Sequence, residues 1–288
     1  MLKGLVVAAF GKRFEVELRD KQRISCVTRG KKTDIASGDY VEISMTDRRD
    51  GVVENILPRK TLLYRSNAFK SKLLAANVTQ IVIVLATQPS FYETLLNRCL
   101  VAAEAAGIKV LIVLNKCDLA NGDAKEKLAQ YANLGYQTLS LTATNNIAPL
   151  LPYLHGEQSV MVGQSGMGKS TIINALLPDQ SARTQEISAA LDSGKHTTTA
   201  TRLYHLDADS SLIDSPGLQE FGLHHISQLA LEQAFIEFKP YLGHCRFNNC
   251  RHLHEPDCAI LSQLNVAISP NRLAQYQQLS EELHRNAT

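Results

Sequence analysis

The chain opens on short runs in which apolar and polar side chains alternate. Leu5–Phe10, Phe14–Leu18, Ile24–Thr28, Tyr40–Met45 and Val52–Leu57 each read as a strand, separated by turn signals at Gly11, Asp20, Gly38-Asp39 and Asp50-Gly51. Five strands in so short a stretch predict a small closed barrel of the OB type. After Pro58-Arg59-Lys60 a polar linker is expected around Arg65–Ser71. The pattern then changes period. Strands are predicted at Ile81–Ala86, Val110–Leu114, Gln137–Leu141, Ser159–Val162, Leu203–Leu206 and Ser211–Ile213. Helices are predicted at Tyr92–Ala106, ending at Gly107, at Ala124–Leu134, ending at Gly135, and from about Gly168 to Leu177. Such alternation predicts an α/β sheet. Asp179–Thr201 has no apolar periodicity and reads as a mobile loop, and from Phe221 onward helices dominate, interrupted by a Cys/His segment and ending in a polar helix at Pro270–Leu283. A multidomain chain is expected, divided at 1–64, 72–220 and 221–288.

The sequence has 288 residues, 44% of them hydrophobic, enough to bury a sizeable core in about two domains or more. Its net charge of +2 hides an uneven distribution, because residues 1–70 carry fifteen Lys or Arg against nine Asp or Glu. A basic barrel suits a polyanion, although a basic solvated face is the plainer reading. The N-terminal apolar run turns polar at Gly11-Lys12-Arg13 without a cleavage pattern, so no signal peptide is expected. No apolar run approaches the ~20 residues of a membrane span, and a soluble cytoplasmic protein is expected.

Chemistry first appears at Gly163-Gln164-Ser165-Gly166-Met167-Gly168-Lys169-Ser170. It follows the apolar run Ser159–Val162 and precedes Thr171-Ile172-Ile173, the strand-loop-helix setting that a phosphate-binding loop requires. Backbone N–H groups would wrap the phosphates, Lys169 would reach the β and γ oxygens, and the Ser170 hydroxyl would ligate Mg²⁺. Asn115-Lys116-Cys117-Asp118 ends the strand Val110–Leu114, and its Asp118 carboxylate would accept from guanine N1–H and the exocyclic amine. Alone, such a strand end often only caps a helix; beside a phosphate loop it selects GTP and GDP. Thr142-Ala143-Thr144 would support the base. Asp214-Ser215-Pro216-Gly217 fits the element in which Asp214 holds Mg²⁺ through water and the Gly217 N–H senses the γ-phosphate. Leu218 follows, where many small GTPases carry the glutamine that orients the attacking water. Another group must do that work. Gly194-Lys195-His196-Thr197-Thr198-Thr199 offers Thr198 to close on Mg²⁺ and His196 to position water, with an exposed loop histidine as the equally simple alternative.

The guanine-reading tetrapeptide precedes the phosphate loop, the reverse of the usual GTPase order, so the GTPase unit is circularly permuted. Further on, Cys245, Cys250 and Cys258 crowd into fourteen residues with His252. Three thiolates and an imidazole suit a structural, tetrahedral Zn²⁺, with His244 and His254 as alternative ligands.

These motifs together resemble one family, the ribosome-small-subunit-dependent GTPase A family, RsgA. The resemblance covers nearly the whole chain, including Ala75-Ala76-Asn77-Val78 and the run from Cys245-Arg246-Phe247 through Glu255-Pro256 to Cys258. It implies an OB-type barrel that binds RNA, a circularly permuted GTPase, and an α-helical zinc-binding domain with ligands Cys245, Cys250, His252 and Cys258. It also implies a monomer that binds the small ribosomal subunit and its rRNA, assists late maturation, and hydrolyses GTP slowly until the subunit stimulates it. Two other readings stand beside this one. They are a GTP-dependent RNA-binding scaffold, favoured by Leu218, and a phosphate-loop ATPase, which Asp118 opposes. About 28 residues separate Gly217 from Cys245, so nucleotide state is expected to move the zinc domain relative to the barrel.

Overall fold

The structure is a computed structural model describing residues 1–30, 34–67, 70–119, 122–178, 201–214, 223 and 226–287. The alternating N-terminal runs form β1 (Leu2–Phe10), β2 (Arg13–Leu18), β3 (Arg23–Thr28), β4 (Tyr40–Met45) and β5 (Asp50–Ile56). Their order is β1-β2-β3-β5-β4, and β1 also pairs with β4, which closes the sheet into the expected five-stranded barrel. Every second residue points inward, so Val6, Phe14, Val16, Ile24, Val41, Ile43 and Val53 make a core of its own inside the barrel.

The next segment departs from the expected polar linker. β6 (Leu62–Asn67) and β7 (Lys70–Ala76) pair as an antiparallel hairpin. Only the ends nearest the body of the protein carry the apolar anchors Leu63, Leu74 and Ala75, all buried. The polar outer half gave no apolar periodicity to read.

The α/β unit contains β8 (Gln80–Ala86), α1 (Glu93–Ala106), β9 (Lys109–Asn115), α2 (Ala124–Asn133) and β10 (Gln137–Ser140). It continues with the single turn α3 (Leu151–Leu154), β11 (Gln158–Val162), α4 (Lys169–Leu176), β12 (Thr201–His205) and β13 (Ser211–Asp214). The strand order is β10-β9-β8-β11-β13-β12, parallel except for β12. β8 is buried at all seven positions, which accounts for its unbroken apolar run. α1 stops where Gly107 adopts φ 64° and its N–H reaches back to Ala103 and Glu104 carbonyls.

The barrel and this sheet are continuous through β12. Ala8 and Ala9 of β1 pair with Arg202 and Thr201, and Ser37 Oγ donates to the Thr201 carbonyl at 2.7 Å. The Arg202 guanidinium lies 5.0 Å from the centre of the Phe10 ring, and His205 Nε2 is 2.8 Å from the buried Glu17 carboxylate. Burial alone would raise the Glu17 carboxyl, but hydrogen bonding to Lys21 and the nearby His205 hold it below the usual range.

The C-terminal segment is helical on either side of the cysteine-histidine stretch, as expected. Its described regular elements are α5 (Gln228–Ala234), 3-10 turns at Ile236–Tyr241 and Leu261–Gln263, and the long α6 (Pro270–Ala287). Its apolar residues Phe235, Phe238, Ile260, Leu273, Tyr276 and Leu279 belong to the same core as β8 and β9. Each fully buried side chain of this size contributes roughly 1.5–3 kcal/mol. A buried polar staple adds direction. Arg272 bonds Glu237 at 2.6 and 3.1 Å, stacks 4.4 Å from the Phe235 ring centre, and donates to Asn97 Oδ1 on α1. Asn97 in turn donates to the Tyr131 hydroxyl of α2 at 3.1 Å. The C-terminal segment is thus fastened to α1 and α2, and the barrel to β12.

Candidate functional site

β8, β9, β10, β11 and β13 deliver their carboxyl ends to one rim of the sheet, where open α/β sheets bind ligands. Asn115, Thr142, Gly163 and Asp214 lie at or just beyond four of those ends. Asn115 is buried and joins three motifs at once. Its Nδ2 donates to the Met167 carbonyl at 3.1 Å, and its Oδ1 accepts from the Ala143 N–H at 3.0 Å. Lys116 spans the same gap on the surface, donating to Gly166 O at 2.6 Å and Gln88 O at 2.9 Å. These contacts draw the guanine-reading loop and the phosphate loop together although 44 residues of chain lie between Asp118 and Gly163. Gly168 must be glycine for the same reason: at φ 91° an added Cβ would sit 2.3 Å from Asn115 Nδ2.

The Asp118 carboxylate accepts from Thr142 Oγ1 at 3.1 Å, and the Asp118 N–H donates to that oxygen at 3.2 Å. One threonine therefore orients both the backbone and the side chain of the residue expected to read guanine. Cys117 turns inward, its N–H donating to Leu141 O at 3.2 Å and its thiol to Leu114 O at 3.2 Å.

Along the phosphate loop, Ser165 and Gly166 are exposed, whereas Met167 is buried as an anchor. The Gln164 side chain turns away and accepts from the Tyr92 N–H at 2.8 Å. Lys169 Nζ folds onto the loop, donating to the Gly163 and Gln164 carbonyls at 2.5 and 2.7 Å. Burial lowers its pKa, partly offset by Asp214, while burial raises the Asp214 carboxyl against the pull of Lys169. A desolvated cation beside a desolvated carboxylate fits a place built for phosphate and a divalent ion. The fit is in the donor set: Ser170 and Thr171 open α4 with exposed side chains and Asp214 closes β13. There Mg²⁺ would neutralise phosphate charge, held by Ser170 directly and Asp214 through water. His196, Thr198, Gly217 and Leu218 lie outside the described residues, as does the predicted loop except for Thr201, which begins β12.

The second cluster is the best-defined metal geometry among the described residues. Ligand atoms of Cys245, Cys250, His252 and Cys258 lie within 4.8 Å of one another. Cys245 and Cys258 sulfurs stand 3.8 Å apart, far beyond disulfide length, and His252 Nδ1 lies 3.5, 3.5 and 3.3 Å from the sulfurs of Cys245, Cys250 and Cys258. Tetrahedral Zn²⁺ with sulfur at ~2.3 Å and nitrogen at ~2.0 Å requires edges of about 3.8 and 3.5 Å. The residues fit zinc. N–H groups of Ala259 and Leu261 point at Cys245 and Cys258 sulfurs at 3.4 and 3.5 Å, as they would to thiolates. Burial lowers the His252 pKa and pushes the Cys250 thiol up to about 12, a cost to the thiolate that a bound cation would offset. His244 and His254, the alternative ligands, are exposed and outside the cluster. The turn between ligands is pinned by Glu255, whose carboxylate accepts from the N–H groups of Arg251, Leu253 and His254 at 3.0, 2.9 and 3.2 Å.

Sequence reasoning missed Thr87 and Gln88, which touch the nucleotide motifs from the end of β8. The buried run before them was the only signal.

Comparison with known proteins agrees with this geometry. Residues 56–224 match the model of the RsgA GTPase family. A small ribosomal subunit biogenesis GTPase RsgA from Nitrosospira multiformis is 52% identical, covering 99% of this chain and 92% of its own length. One from Burkholderia pseudomallei is also 52% identical, over 97% and 92%. Among solved structures, YjeQ from Thermotoga maritima superposes with a TM-score of 0.76 at 29% identity, covering 98% of each chain. YloQ, described as a circularly permuted GTPase, gives 0.71 at 25% identity over 99% of this chain and 96% of its own. With its barrel, its reversed order of nucleotide motifs and its cysteine-histidine cluster, the chain belongs to the RsgA family of circularly permuted GTPases.

Proposed function

We propose that this protein binds the small ribosomal subunit, assists its late maturation, and hydrolyses GTP to GDP and phosphate with stimulation by the subunit. The observation that carries the reading is the Asn115 bridge to Met167 and Ala143, which makes one guanine-nucleotide site from motifs in reversed order. The relatives' printed name, small ribosomal subunit biogenesis GTPase, supplies the partner.

In this reading Asn115, Lys116, Cys117, Asp118, Thr142 and Ala143 hold the base, and Gly163 to Thr171 hold the phosphates. Lys169, Ser170, Asp214, Thr198 and Gly217 surround the γ-phosphate and Mg²⁺, and His196 positions the attacking water. The barrel, 1–64, and the zinc domain, 221–288, flank the GTPase domain, 72–220, and grip rRNA as a monomer. Zinc is structural, since all four positions of its tetrahedron are protein ligands. β12 leads into the strand that ends at Asp214 and pairs with the barrel, so nucleotide state is relayed to the barrel, while the zinc domain rides with α1.

Cosedimentation tests the partner: binding to purified small subunits should be tighter with a non-hydrolysable GTP analogue than with GDP, and equal binding would contradict the reading. Leu218 favours a second reading, a GTP-dependent scaffold whose hydrolysis is incidental. It predicts that His196→Ala leaves turnover unchanged, whereas the main reading predicts loss of turnover at unaltered GTP affinity.

A further inference from the structure

The residues just after β8 touch both halves of the nucleotide site. Thr87 is buried, its N–H donating to Asn115 O at 3.2 Å and its hydroxyl to Lys116 O at 2.7 Å. That carbonyl also accepts from the Leu119 N–H at 3.0 Å. Lys116 itself has φ 58°, a left-handed conformation that residues with a Cβ seldom adopt. It persists only where its surroundings fix it. The neighbouring residues hold the other side. Gln88 O accepts from Lys116 Nζ, a Cβ on Gly166 would meet the Pro89 ring at 3.4 Å, and the Tyr92 N–H donates to Gln164 Oε1.

We infer that the segment Thr87–Tyr92 is a brace that registers the guanine-reading loop against the phosphate loop, with Thr87 as its positioning residue. Resting on the guanine-nucleotide reading of the site, the inference says how guanine affinity is set. In an unpermuted or permuted chain alike, the two loops share no direct covalent link. Here four hydrogen bonds from a single stretch fix both, with the Pro89 ring beside Gly166. The hydroxyl of Thr87 holds the Lys116 peptide in its left-handed turn, and that turn aims the Lys116 amine at Gln88 and Gly166 and presents Asp118 to the base. Thr87 touches no substrate atom. It acts through Lys116, so its loss should appear in nucleotide affinity and leave the chemical step alone.

The test is Thr87→Val, which keeps the shape and removes the donor, beside Thr87→Ser, which restores it. Full-length zinc-loaded protein is titrated with a fluorescent GDP analogue, and GTP turnover is measured at saturation. Thr87→Val should weaken GDP binding about three- to tenfold, as expected for one buried hydrogen bond. Saturated turnover should stay at the wild-type value, the melting temperature should fall by no more than the about 2–4 °C of one buried hydrogen bond, and Thr87→Ser should bind within twofold of wild type. Wild-type affinity in Thr87→Val would overturn the inference. So would an equal loss in Thr87→Ser, which would assign the effect to packing, or a fall in saturated turnover at unchanged affinity. Failure of wild-type protein to prefer GDP over ADP would instead overturn the guanine reading, leaving the two failures distinguishable.

Discussion

Gly38 lies at the seam between the barrel and the GTPase sheet. Its φ is +92°, and a Cβ there would stand 2.2 Å from Ala76 O and 2.6 Å from Gln158 Nε2. Those atoms are bonded to each other, and their neighbours bond across the seam. Gln158 Nε2 donates to Ala76 O at 2.8 Å, the Ala76 N–H to Ser37 O at 3.0 Å, and Asn77 Nδ2 to Gly38 O at 2.9 Å. Gly38→Ala therefore combines a left-handed penalty of ~1–2 kcal/mol with the displacement of about two hydrogen bonds worth roughly 0.5–1.5 kcal/mol each. The sum is roughly 2–5 kcal/mol. Gly11→Ala is the control, because Gly11 also has positive φ, +67°, but nothing within 4 Å of its added Cβ. It should cost only the first part, ~1–2 kcal/mol. In calorimetry each kcal/mol moves the melting temperature by about 2–4 °C at this size. Gly38→Ala should therefore shift it about twice as far as Gly11→Ala. If the two variants melt together, or Gly38→Ala melts higher, the close packing of the seam does not contribute as argued.

Other consequences follow from single contacts. Asp118→Asn removes the charged acceptor oriented by Thr142; two charge-assisted bonds at ~1.5–3 kcal/mol each predict a loss of GTP affinity of about 100-fold or more, with a gain for xanthine nucleotides, read by competition against labelled GDP. Unchanged guanine preference would contradict that role. Arg272→Met strands the Glu237 carboxylate, both groups being nearly inaccessible at 6% and 5% exposure. Urea denaturation should show a loss of ~3–5 kcal/mol, largely recovered in the Arg272→Met, Glu237→Gln double variant. Burial alone would raise the Glu255 carboxyl, but the backbone N–H groups of Arg251, Glu255 itself, Leu253 and His254 outweigh it and draw the pKa from 4.5 to about 2. Its stabilisation is thus present above pH 4.5 and lost as pH falls toward 2. Glu255→Gln should be less stable than wild type near neutrality, and the difference should shrink through that acid window.

Much of the scaffold was legible because burial leaves a period in the chain. The barrel strands alternate, and β8 and β9 are continuous apolar runs buried by neighbours on both faces. The cysteine-histidine cluster was legible from ligand crowding, which left His244 and His254 open beside His252 until the resemblance chose among them. What stayed hidden depends on partners distant in sequence. The outer half of the β6–β7 hairpin pairs polar residues with one another, Arg65 with Lys72, Ser66 with Ser71 and Asn67 with Lys70, so no apolar alternation marked it. The seam was invisible because backbone groups of Ala8, Ala9 and Thr201 carry it, and Glu17 reads as a surface carboxylate until His205 covers it. In the C-terminal segment the break between helices was legible from the crowded cysteines and histidines, but not the turns at positive φ, His252 and Asp257, that shape it. Thr87 was missed since a hydroxyl after a buried strand gives no hint of the left-handed Lys116 it supports.

The two attachments divide the protein in a way the motif order alone did not imply. The barrel shares a strand pairing with β12, which runs into β13 and Asp214, and the C-terminal segment is stapled to α1 and α2, on either side of Asn115–Asp118. A ribosomal subunit contacting both would hold two elements that are each tied to the nucleotide site. The most direct measurement of the account is single-turnover GTP hydrolysis by the zinc-loaded protein, with and without purified small ribosomal subunits. The account predicts slow hydrolysis alone and marked acceleration when subunits are added, with no acceleration by large subunits. The same rate under all three conditions would contradict it.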